Sequence, residues 1–255
     1  MCLIFIAYDV HPKYPLVVAT NRDEFYKRPD LPAGFWPDNK DLLAGKDLQQ
    51  GGTWLGITTS GRFATLTNYR DSASHNPSAP SRGHLVENYL NDSIDPVQYL
   101  NNIQDKGVEY NGFNLLVGNH KCLYYYSNRE KVIHKIEKGI HGLSNSLLNV
   151  PWPKVTKGLN SIADCLQQED VDVGHLFAIM KDKEQFADEF LPQTGLSLEM
   201  ERMLSPAFIV SPEYGTKSTT VLLVDRNDQV RFWERSFRPG ESEPWNNEYF
   251  EFKII

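Results

Sequence analysis

The sequence predicts an α+β fold in which a largely antiparallel sheet arrangement is set against helices. Three observations predict it. Short runs of β-forming residues, joined by turn signals, open the chain, fill its middle and close it. Helical patterns occur in two separate blocks between those runs. The resulting order, strands then helices then strands then helices then strands, is segregated and lacks the βαβ alternation of a parallel sheet. Two central sheets between helical layers satisfy it.

The elements follow from the N-terminus. Leu3–Tyr8 and Leu16–Thr20 are apolar and short, and DVHPKYP separates them, which reads as a hairpin. GGTWLGITTSGRFATLTNY gives a second hairpin with Ser60-Gly61 at its turn. After the polar Pro77–Pro80 loop, Ser81 is the expected N-cap of a helix reaching about Asn91. Asp95-Pro96 opens a second helix, with Gly107 just past its end. FNLLVG, CLYYYS, VIHKI and the approach to Asn145 return to strand. Between Trp152 and Gln168, Val155, Leu159, Ile162 and Leu166 recur at spacings of four and three, one helix face. Further helices are expected at Gly174–Lys181 and Glu184–Glu189. Strands Thr219–Val224 and Val230–Phe237 join through DRND, and Tyr249–Ile254 is the last. The polar stretch Lys183–Met203 reads as an excursion within a single domain spanning residues 1–255.

Composition narrows the function. The chain has 255 residues, 40% hydrophobic and 12% aromatic, enough for a full core. Lys plus Arg is 26 against 33 for Asp plus Glu, a net charge of −7. That balance argues against a broad nucleic-acid surface and favours a small-molecule or protein partner. No apolar run approaches the ~18 residues of a membrane span, so no integral membrane contact is expected. The run after Cys2 is too short for a signal-peptide core and has no basic residue before it. Three cysteines, Cys2, Cys122 and Cys165, suit a reducing compartment without a disulfide framework. Cytoplasm is the expected location. The seven histidines show no HExxH or HxxEH spacing and there is no CxxC, so no structural zinc is expected. Gly51-Gly52 is not followed by GK[ST] and a helix, so a phosphate loop is rejected in favour of a turn and a close backbone approach.

Two stretches carry chemistry. If the initiator Met1 is removed, as is usual before a small residue, the chain starts at Cys2. One residue then supplies a thiol nucleophile and an α-amine of pKa ~7.7–8.0, close to what a general base needs. ATNRDEF ends the second strand of the first hairpin, and a hairpin returns that end to the start of the first strand. Asn21, Arg22, Asp23 and Glu24 therefore come near Cys2. Arg22 can hold a thiolate or a substrate carboxylate, and Asp23 can orient the α-ammonium. Side chains alternate along a strand, so Arg22 and Asp23 face Cys2 together only if the strand ends between them.

With these residues in view, the sequence resembles the NRDE family of transport and Golgi organisation protein 2-like chains. The matching pieces are MC at the start, NRDE at Asn21–Glu24, GGTWLG at Gly51–Gly56, Thr67-Asn68, PSRG at Pro80–Gly83 and GFNL at Gly112–Leu115. HGLSN at His141–Asn145, PWPK at Pro151–Lys154 and GTKSTTVLL at Gly215–Leu223 continue the match. The family is similar in turn to N-terminal nucleophile hydrolases of the penicillin and bile-salt amidase type. That resemblance implies a four-layer αββα sandwich and a cysteine amidohydrolase acting on a linear, non-peptide C–N bond of a small molecule. It implies Cys2 as nucleophile, with Arg22 and Asp23 around it and Asn145 in the oxyanion hole. The resemblance also suggests Asn68, after the second hairpin, as a second polar group there. The hydrolysis implied needs no cofactor. The family pattern expected at the late strand is GTRSST, and here Lys217 stands in place of the Arg. Arg and Lys are not equivalent at a bidentate site; the plain alternative is a surface Lys. Some relatives are described as haem-binding carriers, so the resemblance also admits haem as a bound ligand and haem trafficking without hydrolysis.

Overall fold

The computed structural model describes residues 2–255. The question of Met1 retention lies outside the described residues. Thirteen strands form two antiparallel sheets among the described residues. The first has the order β10-β1-β2-β11-β12-β13, built from β1 (Cys2–Tyr8), β2 (Leu16–Phe25), β10 (Gly139–Leu143), β11 (Tyr214–Val224), β12 (Gln229–Phe237) and β13 (Pro244–Lys253). The second runs β3 to β9 in sequence order: β3 (Asp30–Phe35), β4 (Leu42–Asp47), β5 (Leu55–Thr58), β6 (Phe63–Asn68), β7 (Phe113–Gly118), β8 (Leu123–Ser127) and β9 (Ile133–Lys135).

The sheets stack face to face because their inner residues are apolar on alternate positions. Ile4, Ile6, Leu16, Val18, Leu222 and Phe232 meet Leu43, Leu55, Ile57, Phe63, Leu116 and Tyr125 in one core. The other face of the first sheet, Leu3, Phe5, Ala7, Val17, Ala19 and Val221, is covered by α3 (Pro153–Cys165) and α4 (Val173–Met180). The outer face of the second sheet is covered by α1 (Gly83–Asn91) and α2 (Pro96–Lys106). This is the four-layer αββα arrangement. β1 is buried on both faces, which explains its uninterrupted apolar run. Each fully buried Leu, Ile or Phe contributes about 1.5–3 kcal/mol, so this interior strand, paired on both sides, is firmly held.

Several expected elements differ. β2 runs on to Phe25, past Thr20. β3 and β4 were not anticipated. Ser81 does not cap α1: the cap position is Arg82, with no side-chain bond to the helix, and Ser81 contributes only its carbonyl to the His84 N–H. The helix expected at Glu184–Glu189 is instead a single 3₁₀ turn at Asp188–Phe190, followed by α5 (Leu198–Met203), which Ser197 caps. A β-bulge between Thr216 and Ser218 shifts the β11–β2 register, so that Thr216 opposes Asp23 and Ser218 opposes Arg22.

Candidate active site

β1 and β2 place Cys2 directly opposite Arg22. Both belong to the alternation that faces the second sheet, and both are buried. They line a small cleft of about 90 Å³ open to solvent, together with Asp23, Glu24, Arg28, Trp54, Asn68 and Arg82. The Arg22 guanidinium lies over the Trp54 ring, 4.1 Å from its centroid, and donates to Asp30. Asp30 also receives the Lys217 ammonium at 2.8 Å. Lys217 is thus a half-buried member of this charge cluster, bonded as well to the Arg28 carbonyl, and not a surface Lys.

The strand does not end between Arg22 and Asp23, so the two point to opposite faces. Asp23 faces the α3 side, where Oδ1 accepts from Thr216 Oγ1 at 2.7 Å and its carbonyl accepts from Tyr214 at 3.0 Å. Burial raises its pKa. Burial also pushes the Cys2 thiol up, opposed by the Arg22 charge and by a hydrogen bond from the Asp23 backbone N–H. Asn21 is structural: its amide donates to the Met180 and Ala207 carbonyls at 2.8 Å each and accepts from Thr219.

Asn68 ends β6 and lines the cleft. Asn145 lies one step behind it. Its Nδ2 donates to the Asn68 carbonyl at 2.9 Å, and its own carbonyl accepts from Arg70 N at 2.7 Å. The Gly-Gly pair forms the turn and close approach expected of it. Gly51 and Gly52 have φ of 74° and 77°, and a Cβ on Gly52 would lie 2.4 Å from the Gly83 carbonyl carbon. The GGTW and SRG loops therefore meet main chain to main chain, which carries Trp54 and Arg82 into the cleft.

Sequence reasoning gave no role to Trp54, Arg82 or Lys154, although GGTWLG, PSRG and PWPK were visible as motifs. Arg28 is paired with Asp47, through two bonds at 2.8 and 2.5 Å, whereas Arg82 makes one bond, to the Gly112 carbonyl at 3.0 Å. Lys154, in the first turn of α3, is buried with its ammonium on the Leu204 carbonyl at 2.8 Å. No three His, Cys, Asp or Glu side chains converge as a metal-ligand set among the described residues.

A cysteine and a guanidinium on one sheet face, with a buried carboxylate behind them, is an arrangement suited to nucleophilic chemistry. The family model described as Transport and Golgi organisation 2 matches residues 1–239. The chain belongs to this family. It is 35% identical over 279 residues to the mouse Transport and Golgi organization 2 homolog, covering 100% of this chain and 99% of that one. The Drosophila melanogaster Transport and Golgi organization protein 2 is 27% identical, with 98% of each chain covered. Among solved structures, a mutant conjugated bile acid hydrolase from Clostridium perfringens superposes with a TM-score of 0.55 at 8% identity, covering 100% of this chain and 92% of that one. A Caenorhabditis elegans N-acylethanolamine-hydrolyzing acid amidase ortholog gives 0.50 at 8% identity, with 87% and 92% covered. This family member therefore has the N-terminal nucleophile hydrolase fold. No helix among the described residues is long and apolar enough to cross a membrane.

Proposed function

We propose that this family member is an N-terminal cysteine amidohydrolase acting on a linear amide of a small molecule. The observation that carries the reading is the position of Cys2: it opens β1, opposite Arg22, in a solvent-reached cleft. Removal of Met1 completes the centre by putting the α-amine on the same residue. The amine takes the thiol proton, and the sulfur attacks the amide carbonyl carbon. The tetrahedral oxyanion is held by amide donors, with Asn68 at the cleft wall and Asn145 bracing it. Collapse breaks the C–N bond, the α-ammonium protonates the departing amine, and a thioester remains on Cys2. Water, deprotonated by the α-amine, releases the acid and restores the thiol.

The carrier alternative, haem bound without hydrolysis, has weaker support in this cleft. Among the described residues that line it, Cys2 is the sole thiol, there is no histidine, and six are charged. Haemin titration reads that alternative directly through a saturable Soret shift.

Intact mass before and after alkylation at limiting reagent tests the main reading. Loss of Met1 and first alkylation at Cys2 support it. Retained Met1, or a Cys2 that forms no adduct with acyl-transfer probes, sinks it.

A further inference from the structure

Three arginines among the described residues line the cleft with Cys2, and two of them have carboxylate partners. Arg22 donates to Asp30, which also takes the Lys217 ammonium. Arg28 sits on Asp47 at 2.5 Å, with Glu24 at 3.9 Å. Arg82 is the third. It is half-buried, and no carboxylate among the described residues pairs with it. Glu24 turns to its own main chain, where Oε1 accepts the Phe25 N–H at 2.9 Å, and Asp23 faces the other side of its sheet. Arg82 is nevertheless fixed at both ends. Its main chain is pinned where the Gly83 carbonyl accepts from Thr53 N at 3.3 Å. Its Nη1 donates to the Gly112 carbonyl at 3.0 Å, a carbonyl that also accepts from Tyr69 N at 2.9 Å. Gly112 precedes Phe113, the β7 residue paired with Asn68. The guanidinium is thus held by one arm at the strand end beside Asn68, and the rest of its fork makes no bond among the described residues. A planar fork fixed in this way is preorganised for a carboxylate. A partly desolvated cation without a counter-charge costs free energy that a bound anion offsets. The cleft, at about 90 Å³, is well below the ~300 Å³ of a site that encloses a drug-sized ligand, so it grips one end of a substrate.

We propose that Arg82, anchored on the Gly112 carbonyl, is the specificity residue of the cleft: its guanidinium binds a carboxylate of the substrate. The amide cleaved at Cys2 is then a small anionic one, with its carboxylate a few bonds from the C–N bond. The cleavage rests on the reading of Cys2 as nucleophile; the anion site itself does not.

Two measurements test it. Iodoacetate and iodoacetamide alkylate the same sulfur and differ only in carrying a carboxylate or a neutral amide. The ratio of their rates at Cys2, followed by peptide mass, cancels any general change in thiol reactivity. Arg82→Gln is expected to lower the iodoacetate-to-iodoacetamide ratio about tenfold, and Arg82→Lys to restore part of it. An unchanged ratio in folded Arg82→Gln overturns the proposal, as does a larger fall in Arg22→Gln than in Arg82→Gln. The second measurement is calorimetric titration of the Cys2→Ala protein, which needs no reactive thiol and no change at Arg82. Succinamate and N-acetylglycine carry a carboxylate on opposite sides of the amide, and succinamide and N-acetylglycinamide are their neutral counterparts. At least one acid is expected to bind about tenfold or more tighter than its counterpart, and the acid that does so gives the side of the C–N bond on which the carboxylate belongs. Acids and neutral amides bound alike, or no binding of either acid, overturns the proposal. Acid selectivity in a protein whose Cys2 proves unreactive leaves the anion site in place and removes the amidase function; turnover of neutral amides alone does the reverse.

Discussion

Asp30 accepts both the Arg22 guanidinium and the Lys217 ammonium, so the cation opposite Cys2 is fixed by a carboxylate it shares with the late strand. Losing one partner of a buried pair costs about 3–5 kcal/mol when the other charge is stranded. Here either cation still covers Asp30. Arg22→Gln and Lys217→Gln are each expected to cost less than that range, and the double variant more than their sum. A urea-unfolding double-mutant cycle measures the difference; simple additivity would contradict the shared carboxylate.

Stability should also fall with rising pH through Glu234. This carboxyl is 2% exposed, bridges the sheets by accepting from Ala33 N at 2.7 Å, and has its pKa raised by burial to about 7. The folded state keeps a proton that the unfolded chain releases near pH 4.5. The stabilisation is complete below that pH and is lost as pH climbs through 7, a change of about 3 kcal/mol. Glu234→Gln should flatten this slope. Parallel stability–pH curves for the two proteins would remove Glu234 as its source.

Gly52→Ala is expected to cost at least about 2 kcal/mol, combining a left-handed backbone with a clash against the Gly83 main chain. Gly240, equally left-handed at φ 74° and with nothing within 4 Å of its Cβ, is the matched control. Thermal unfolding of both variants distinguishes a specific backbone contact from a generic glycine effect.

On the proposed chemistry, Asn68→Ala should slow Cys2 acylation by an active ester about 10²–10³-fold. Asn145→Ala should slow it and also destabilise the protein by about 1–3 kcal/mol, because the Asn68 carbonyl loses its buried donor. Unchanged acylation in Asn145→Ala, with lowered stability, would confine that residue to bracing.

The hairpins, the layers and the Cys2–Arg22 proximity were legible because each depends on local alternation and on chain reversal. β3 and β4 were not. Asp30–Phe35 carries Pro32 and Gly34 and has an irregular register against β4, while Leu42–Asp47 contains Gly45 and two charges. Their strand state is imposed by neighbours rather than by propensity. The helix expected at Glu184–Glu189 failed for a similar reason: Pro192 and Gly195 break up a polar stretch whose helix forms only beyond Ser197. Lys154 was hidden because a lysine in a helical first turn reads as solvated. Nothing local records that Leu204, 50 residues later, returns to cover it.

The bulge at Lys217 has a consequence for how this family member can change over time. Because one residue is inserted against Asp23, Thr216 reaches the carboxylate on one side of the sheet while Ser218 stands opposite Arg22. Deleting Lys217 would leave both pairings and both faces as they are and would straighten the strand, so what the extra residue adds is its own ammonium on Asp30. A one-codon deletion at Lys217 would therefore keep the inside and the outside of the sheet and leave Arg22 as the remaining one of the two cations described on Asp30 at the edge of the cleft.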